Sequence, residues 1–410
     1  MLKLLVIADD FTGALDTGVQ FSSQGIPTLV STEIEVDYLK VAEEIQVLVL
    51  NSESRHLSFD KAYEKTKKIL VEAKAAGISH IYKKVDSALR GNISAEIKAI
   101  LETCDQEIIP FLPAYPEMNR ILQEGQLYID GVLASESIFG DDPYEPVKES
   151  NVLTRLKNEA GIQATLITDS NLPQNAKGVC VFDAQKEETL VAQGKLLKER
   201  NLLQVTVGCA GFAKVLAKQL FPQPKTISYQ LKKPVVVVCG SVNPITKKQI
   251  EYVEQKNYPR ISLSAFQLLE ANYWKTQSGQ AEINRYLELM DRQPLLVFET
   301  FSDQTTKEIE TLRKEKKLTA TECRFRIGES LGKLTEALWQ QHQSNTFLFT
   351  GGDTLFQSMN VLGITGIKPM VEISPGVVLS AIEWNNREMQ VITKSGGFGE
   401  ETLFEEISMV

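Results

Sequence analysis

Short apolar runs alternate with helical patterns along the whole first half of the chain. LLVIA (4–8), PTLVS (27–31), QVLVLN (46–51), ISHIYKKV (78–85) and EIIPFLPA (107–114) are largely apolar, as strands buried on both faces are. Between them, residues near 13–24, 58–76 and 92–103 carry apolar positions at helical spacing. ATLITD, GVCVFDA and LLQVTVGCAGFA extend the series. Strands alternating with helices of this length predict βαβ units around a mostly parallel sheet.

FPQPKTISYQLKK breaks the pattern with two prolines, mixed polarity and no helical face, and reads as a linker. A second α/β series opens at PVVVVCGSVNPIT and continues through PLLVFET, TFLFTGGDT, a strand near 371–378, and EMQVITKSGGFG. The 410 residues also exceed what one hydrophobic core usually supports. The expectation is two dissimilar α/β domains with mostly parallel sheets, 1–222 and 234–410, joined by a linker at 223–233.

A formal charge of −9 disfavours a general nucleic-acid surface. Five scattered cysteines without CxxC spacing and three isolated histidines suggest neither a disulfide framework nor a zinc site, and fit reduced thiols in a cytoplasm. No run of 18 apolar residues and no basic leader points to a membrane or to export. The oligomeric state stays open, a homo-oligomer included.

Chemistry gathers where the strands stop. LLVIA ends at Asp9 and Asp10, followed by Thr12 and Gly13, and in open α/β sheets ligands bind beyond the carboxyl ends of strands. The same residues also fit a helix N-cap. KKVDSALRGN packs Lys84, Asp86, Ser87, Arg90 and Gly91 into one strand-to-helix turn, where cations can pair with an acid while Asp and Ser take hydroxyls. Arg120 is the candidate anion ligand in the proline-rigid loop PFLPAYPEMNR, where a surface arginine is the alternative, and GDDPYEP reads as turn chemistry from which Asp142 could join a site. In the second half, CGSVNP, TGGDT, ISPGV and KSGGFG are four glycine-bearing loops, each expected after a strand, which favours a cradle for nucleotide phosphates. GESLGKL has the wrong spacing for a Walker A loop and lies in a helical pattern. GGFG lacks the third glycine of a dinucleotide fingerprint.

Taken in order, IADDFTGA, KKVDSALRGN, PAYPEMNR, GCAGFA, GSVNP, GGDT, PGV and KSGGFG resemble the four-carbon acid sugar kinase family over nearly the whole chain. The sequence departs from that family's pattern at Asn119, Cys209, Asp353 and the second glycine of SGGFG, and keeps Arg120. The resemblance implies an N-terminal domain that binds a sugar acid, a C-terminal domain that binds ATP, an active site in the interdomain cleft, and phosphorylation of a hydroxyl on threonate, erythronate or an oxo-tetronate. By that similarity Asp9, Asp10, Lys84, Asp86, Ser87, Arg90, Gly91 and Arg120 contact the acid, with Thr12 beside them. Ser241, Gly351, Gly352, Asp353, Thr354, Ser395, Gly396 and Gly397 contact ATP. Lys84, Arg90 and Arg120 would hold the carboxylate. Asp9, Asp10 or Asp86 would take the hydroxyl proton, Asp10 being favoured, and Mg²⁺ would bridge the phosphates with few protein ligands. A non-catalytic sensor of a sugar acid and a nucleotide, and a hydroxy-acid dehydrogenase, are the rival readings.

Overall fold

The computed structural model describes residues 2–142, 145–168, 171–223, 225, 227–240, 243–342 and 344–410. The chain divides into two units, Met1–Thr226 and Ile227–Val410. Pro224 and Thr226, inside the expected linker, lie outside the described residues.

The first unit contains β1 (Leu4–Ala8), β2 (Thr28–Ser31), β3 (Val47–Asn51), β4 (His80–Lys84), β5 (Ile108–Leu112), β6 (Arg120–Gln123), β7 (Gln126–Ile129), β8 (Val132–Leu133), β9 (Ala164–Ile167), β10 (Gly178–Phe182) and β11 (Val205–Gly208). Eight of them form a parallel sheet in the order β2-β3-β1-β4-β11-β5-β10-β9. Every residue of β1 and β3 is buried, which is why both runs are apolar without alternation. From β1 the chain crosses over to β2 and β3 on one side and then to β4 on the other. The strand order therefore reverses between β1 and β4, and a crevice outside their carboxyl ends is where such a sheet receives ligands. Strands β6–β8 form a small antiparallel meander that the strand pattern in the sequence does not predict, beginning at Arg120 at the end of the proline-rigid loop. They run four, four and two residues, too short for their alternation to register against the flanking proline and glycine signals.

The second unit contains β12 (Val235–Cys239), β13 (Arg260–Ser262), β14 (Leu295–Glu299), β15 (Thr346–Thr350), β16 (Gly366–Ser374), β17 (Val377–Trp384) and β18 (Arg387–Lys394), in the order β13-β14-β12-β15-β18-β17-β16. The first five run parallel, and β17 is antiparallel to both of its neighbours. Val237, Ile250, Val297, Leu348, Ile392 and Phe404 belong to its buried core. The single strand expected near 371–378 is instead the end of β16, a turn at Pro375-Gly376 with Gly376 at φ +70°, and the start of β17. Pro-Gly is a turn signal, and the apolar residues on both sides of it hid the reversal. ISPGV consequently joins two antiparallel strands and does not lead into a helix.

GESLGKL lies inside the helix Ala320–Gln341, with Leu331, Leu334 and Leu338 buried, as its pattern implied. Its glycines serve helix packing. A Cβ on Gly328 would lie 2.8 Å from Gln357 Cγ, and one on Gly332 would lie 2.9 Å from Val361 Cβ, both on the helix Gly352–Leu362.

Candidate active site

At the tip of β1 the two carboxylates separate in role. Asp10 is the N-cap of the helix Phe11–Ser22: its Oδ1 accepts from the Gly13 N–H at 3.0 Å, so the capping reading holds. The same Oδ1 also accepts from Arg55 Nη2 at 2.7 Å, while Oδ2 has no partner among the described residues. Asp9 is buried and receives Arg55 Nε at 2.7 Å on Oδ2. Burial pushes the Asp9 carboxyl up, and Arg55, Lys84 and Lys83 outweigh it, leaving it below the ordinary range.

At the tip of β4, Asp86 is saturated. Its carboxylate accepts from the N–H groups of Ala88 and Arg90, from Arg90 Nε at 2.9 Å and from Arg90 Nη2 at 3.1 Å. Burial raises this carboxyl too, but Arg55 and Arg90 hold it well below the usual range. Lys84 is buried and forms no ion pair within 4 Å among the described residues. A Cβ on Gly13 would meet Asp10 Oδ1 at 2.5 Å and Lys84 Nζ at 2.7 Å, so the glycine is what lets this carboxylate and ammonium approach the same point. Thr12 is half-buried one residue before it.

Arg120 opens β6 and donates to Ser87 Oγ. Its guanidinium and that of Arg90 both pack on the Phe139 ring, 5.3 and 5.1 Å from the centroid. Arg90 Nη1 reaches Asp142 Oδ2 at 3.1 Å, and Pro143 and Tyr144 of that turn lie outside the described residues. Gly91, at φ +84°, runs beside Arg55, and a Cβ there would lie 3.0 Å from Arg55 Cγ. The first-unit candidates thus converge on one group of strand ends.

The sequence reading missed the residues that hold this group together. Arg55 follows β3, the neighbour of β1, so the strand-end rule that selected Asp9 could have selected it as well. Asn92 Nδ2 donates to the carbonyls of Ser54, Arg55 and Leu57, pinning the loop that carries Arg55. Underneath, Lys83 and Glu96 form a fully buried pair at 3.0 Å, and Ser54 Oγ donates to the same Glu96 oxygen at 2.6 Å. Burial raises the Glu96 carboxyl, and the nearby Asp9 charge adds to that rise.

In the second unit three loops meet at the carboxyl ends of the adjacent strands β12, β15 and β18. A Cβ on Gly240 would lie 2.5 Å from Thr354 Oγ1, and the Gly351 N–H, at φ +89°, donates to Lys394 O at 2.8 Å. Gln249 Nε2 donates to the carbonyls of Phe398, Gly399 and Glu400, and Thr246 Oγ1 donates to Gly396 O at 2.8 Å. Lys394, wholly buried, donates to Thr246 Oγ1 and to the carbonyls of Ser395 and Gly396. With its carbonyls engaged inward, the last loop leaves the Gly396 and Gly397 N–H groups without acceptors among the described residues, as are those of Gly352 and Asp353 at a helix N-terminus. ISPGV packs beside this loop, the Ser395 N–H donating to Gly376 O at 3.1 Å. The Asp353 carboxylate is held by Arg324 at 2.8 Å, and Ser241 lies outside the described residues. Such free N–H groups suit phosphate oxygens.

Comparison with known proteins agrees with this division. A family model described as a sugar-binding N-terminal domain matches residues 4–216, and one described as a nucleotide-binding C-terminal domain matches 236–404. The chain is 27% identical to a D-threonate kinase of Salmonella typhimurium, covering 98% of this chain and 96% of that protein. It is 28% identical to a 3-oxo-tetronate kinase of the same organism, covering 98% of each. The fold is that of a solved Haemophilus influenzae protein from a domain-of-unknown-function family, with a TM-score of 0.77 over 99% of both chains at 22% identity. Matched along both of its units, the chain belongs to the four-carbon acid sugar kinase family.

Proposed function

We propose that this protein transfers the γ-phosphoryl group of ATP to the terminal hydroxyl of a four-carbon sugar acid of the threonate, erythronate or 3-oxo-tetronate class. The observation that carries the reading is the pairing, around Gly13, of an ammonium that has no ion-pair partner among the described residues with a carboxylate that keeps one oxygen free. Lys84 would bind the acid's carboxylate together with Arg90 and Arg120, and Ser87, which touches Arg120, would meet a hydroxyl. Asp10 Oδ2 would accept the proton of the attacking hydroxyl. Asp86 is unsuited to that task because Arg90 and two backbone N–H groups already occupy it, and Asp9 because it is buried against Arg55. These two carboxylates would hold cations in place.

Nucleotide phosphates fit the backbone N–H groups of Gly352, Asp353, Gly396 and Gly397. Mg²⁺ fits such a cradle on its usual terms, since Asp353, the carboxylate beside these N–H groups, is already engaged by Arg324, so the ion would rest mainly on phosphate oxygens and water. When bound, it would neutralise charge on the transferring phosphoryl group. Phosphoryl transfer asks the protein chiefly for positioning and electrostatics, which these groups supply.

The test is ADP release with Mg-ATP against D- and L-threonate, D- and L-erythronate and the 2-oxo- and 3-oxo-tetronates, with glycerate and gluconate as controls. Turnover on a four-carbon acid and not on the controls is the expected result. ATP binding with no acid-dependent turnover would favour a sensor.

A further inference from the structure

We infer that Arg155 is a positioning residue for acid binding, clamping the turn at 86–91 so that the Arg90 guanidinium is held where it meets the acid's carboxylate. The inference rests on the kinase reading above. The turn is an awkward one: Leu89, buried and not a glycine, stands at φ +63°, and Gly91 stands at φ +84°. A bulky residue in the left-handed region persists only where its surroundings hold it there. Within the turn, the Asp86 carboxylate takes the N–H groups of Ala88 and Arg90, each at 3.2 Å, and the Asp86 carbonyl takes that of Leu89 at 2.9 Å. The carbonyls are held by Arg155, which donates through Nη1 to Leu89 O and through Nη2 to Gly91 O at 2.7 Å. These are the residues on either side of Arg90, and the two with positive φ.

Arg155 reaches the turn from the helix Val152–Ala160, far along the chain, with its side chain only 12% exposed. Its Nε donates to Glu159 Oε1 at 2.9 Å, and the other Glu159 oxygen accepts from Ser94 Oγ at 2.7 Å, so all three nitrogens of the fork are committed. A planar guanidinium can hold two carbonyls and a carboxylate together, whereas an ammonium is a single point of charge. Of the cations that would bind the acid, Arg90 is the one carried by this turn, and its head is already aligned by Asp86, Asp142 and the Phe139 ring. Loosening the turn therefore displaces the whole arrangement. The acid's carboxylate is bound alike before and during phosphoryl transfer, so the loss should fall on KM for the acid. Asp10 stands at the tip of β1, outside the turn, so kcat should be nearly kept. The nucleotide loops belong to the second unit, and KM for ATP should not move.

The experiment compares wild type with Arg155→Lys, Arg155→Met and Glu159→Gln in kcat, in KM for the acid and for ATP, and in amide hydrogen exchange of the acid-free protein across residues 86–92, with thermal melting as the check on folding. Expected for Arg155→Met are KM for the acid raised at least roughly tenfold, kcat within about threefold of wild type, KM for ATP unchanged and faster exchange across the turn. Arg155→Lys should fall between that variant and wild type, and decides alone if Arg155→Met does not fold. Glu159→Gln leaves both carbonyl bonds in place and removes only a half-exposed ion pair, so its KM for the acid should stay within about twofold. Unchanged KM for the acid, equal rises in both KM values, unmoved exchange at the turn, a Glu159→Gln loss as large as that of Arg155→Met, or failure of Arg155→Lys to fold would each overturn the inference. Wild-type protein inactive on every four-carbon acid would instead sink the proposed function itself, and the exchange comparison would still judge the clamp.

Discussion

Asp10 shows how one residue carries a structural and a chemical duty that can be separated. Asparagine caps helices about as well as aspartate, so Asp10→Asn should keep the Gly13 bond and the melting temperature while removing the proton acceptor. Turnover is expected to fall by more than about a hundredfold with the acid still bound, measured by kcat and by calorimetric titration; unchanged turnover would remove Asp10 as the base. Asp9, Asp10, Lys84, Asp86 and Arg90 could be grouped from the sequence because they fall at or just past strand ends, where an apolar run changes abruptly to charged residues, and Arg120, which opens β6, because it stands in a proline-rigid loop. What was not legible is which carboxylate is already spoken for. That depends on Arg55, whose register relative to Asp9 is set by the pairing of β3 with β1, a contact between residues more than forty positions apart.

At the scale of elements, the loop after β18 keeps its N–H groups free because side chains from a helix consume its carbonyls. Gln249 and Thr246 both lie on the helix Pro244–Gln255 and together hold the run from Gly396 to Glu400. Gln249→Leu should therefore raise KM for ATP by about fivefold or more and leave KM for the acid unchanged, because a loosened loop must be ordered again by each nucleotide. Equal changes in both constants would place Gln249 elsewhere in the mechanism. The glycine motifs themselves were readable from the sequence, but their partners were not. Gln249 sits among helical residues with nothing local to mark it, and Pro375-Gly376 is a loop after a strand as expected, but the hairpin it closes between β16 and β17 was hidden by the apolar residues on both sides.

For the whole molecule, pH acts through groups the fold has taken out of water. Burial lowers the Lys394 ammonium to about 8, below its ordinary value. Between those two values the unfolded chain holds a proton that the folded one has released, so this residue makes the fold more stable as pH rises from about 8 toward 10. Urea unfolding of wild type and Lys394→Met at pH 7.5, 9 and 10 should show wild type gaining on the variant across that range; a constant difference would mean that the folded state does not shift Lys394. The first unit carries a different consequence, one of assembly order. Strand β11 is the last of its sheet to be made, yet it lies between β4 and β5, pairing Ile81 with Val205 and Phe111 with Val207. Until it arrives, the sheet exists only as two halves, β2-β3-β1-β4 and β5-β10-β9, each with an open edge where the other should be. A nascent chain on the ribosome thus cannot close this unit before Gly208 has emerged, and for that interval it presents the unpaired strand edges that invite aggregation.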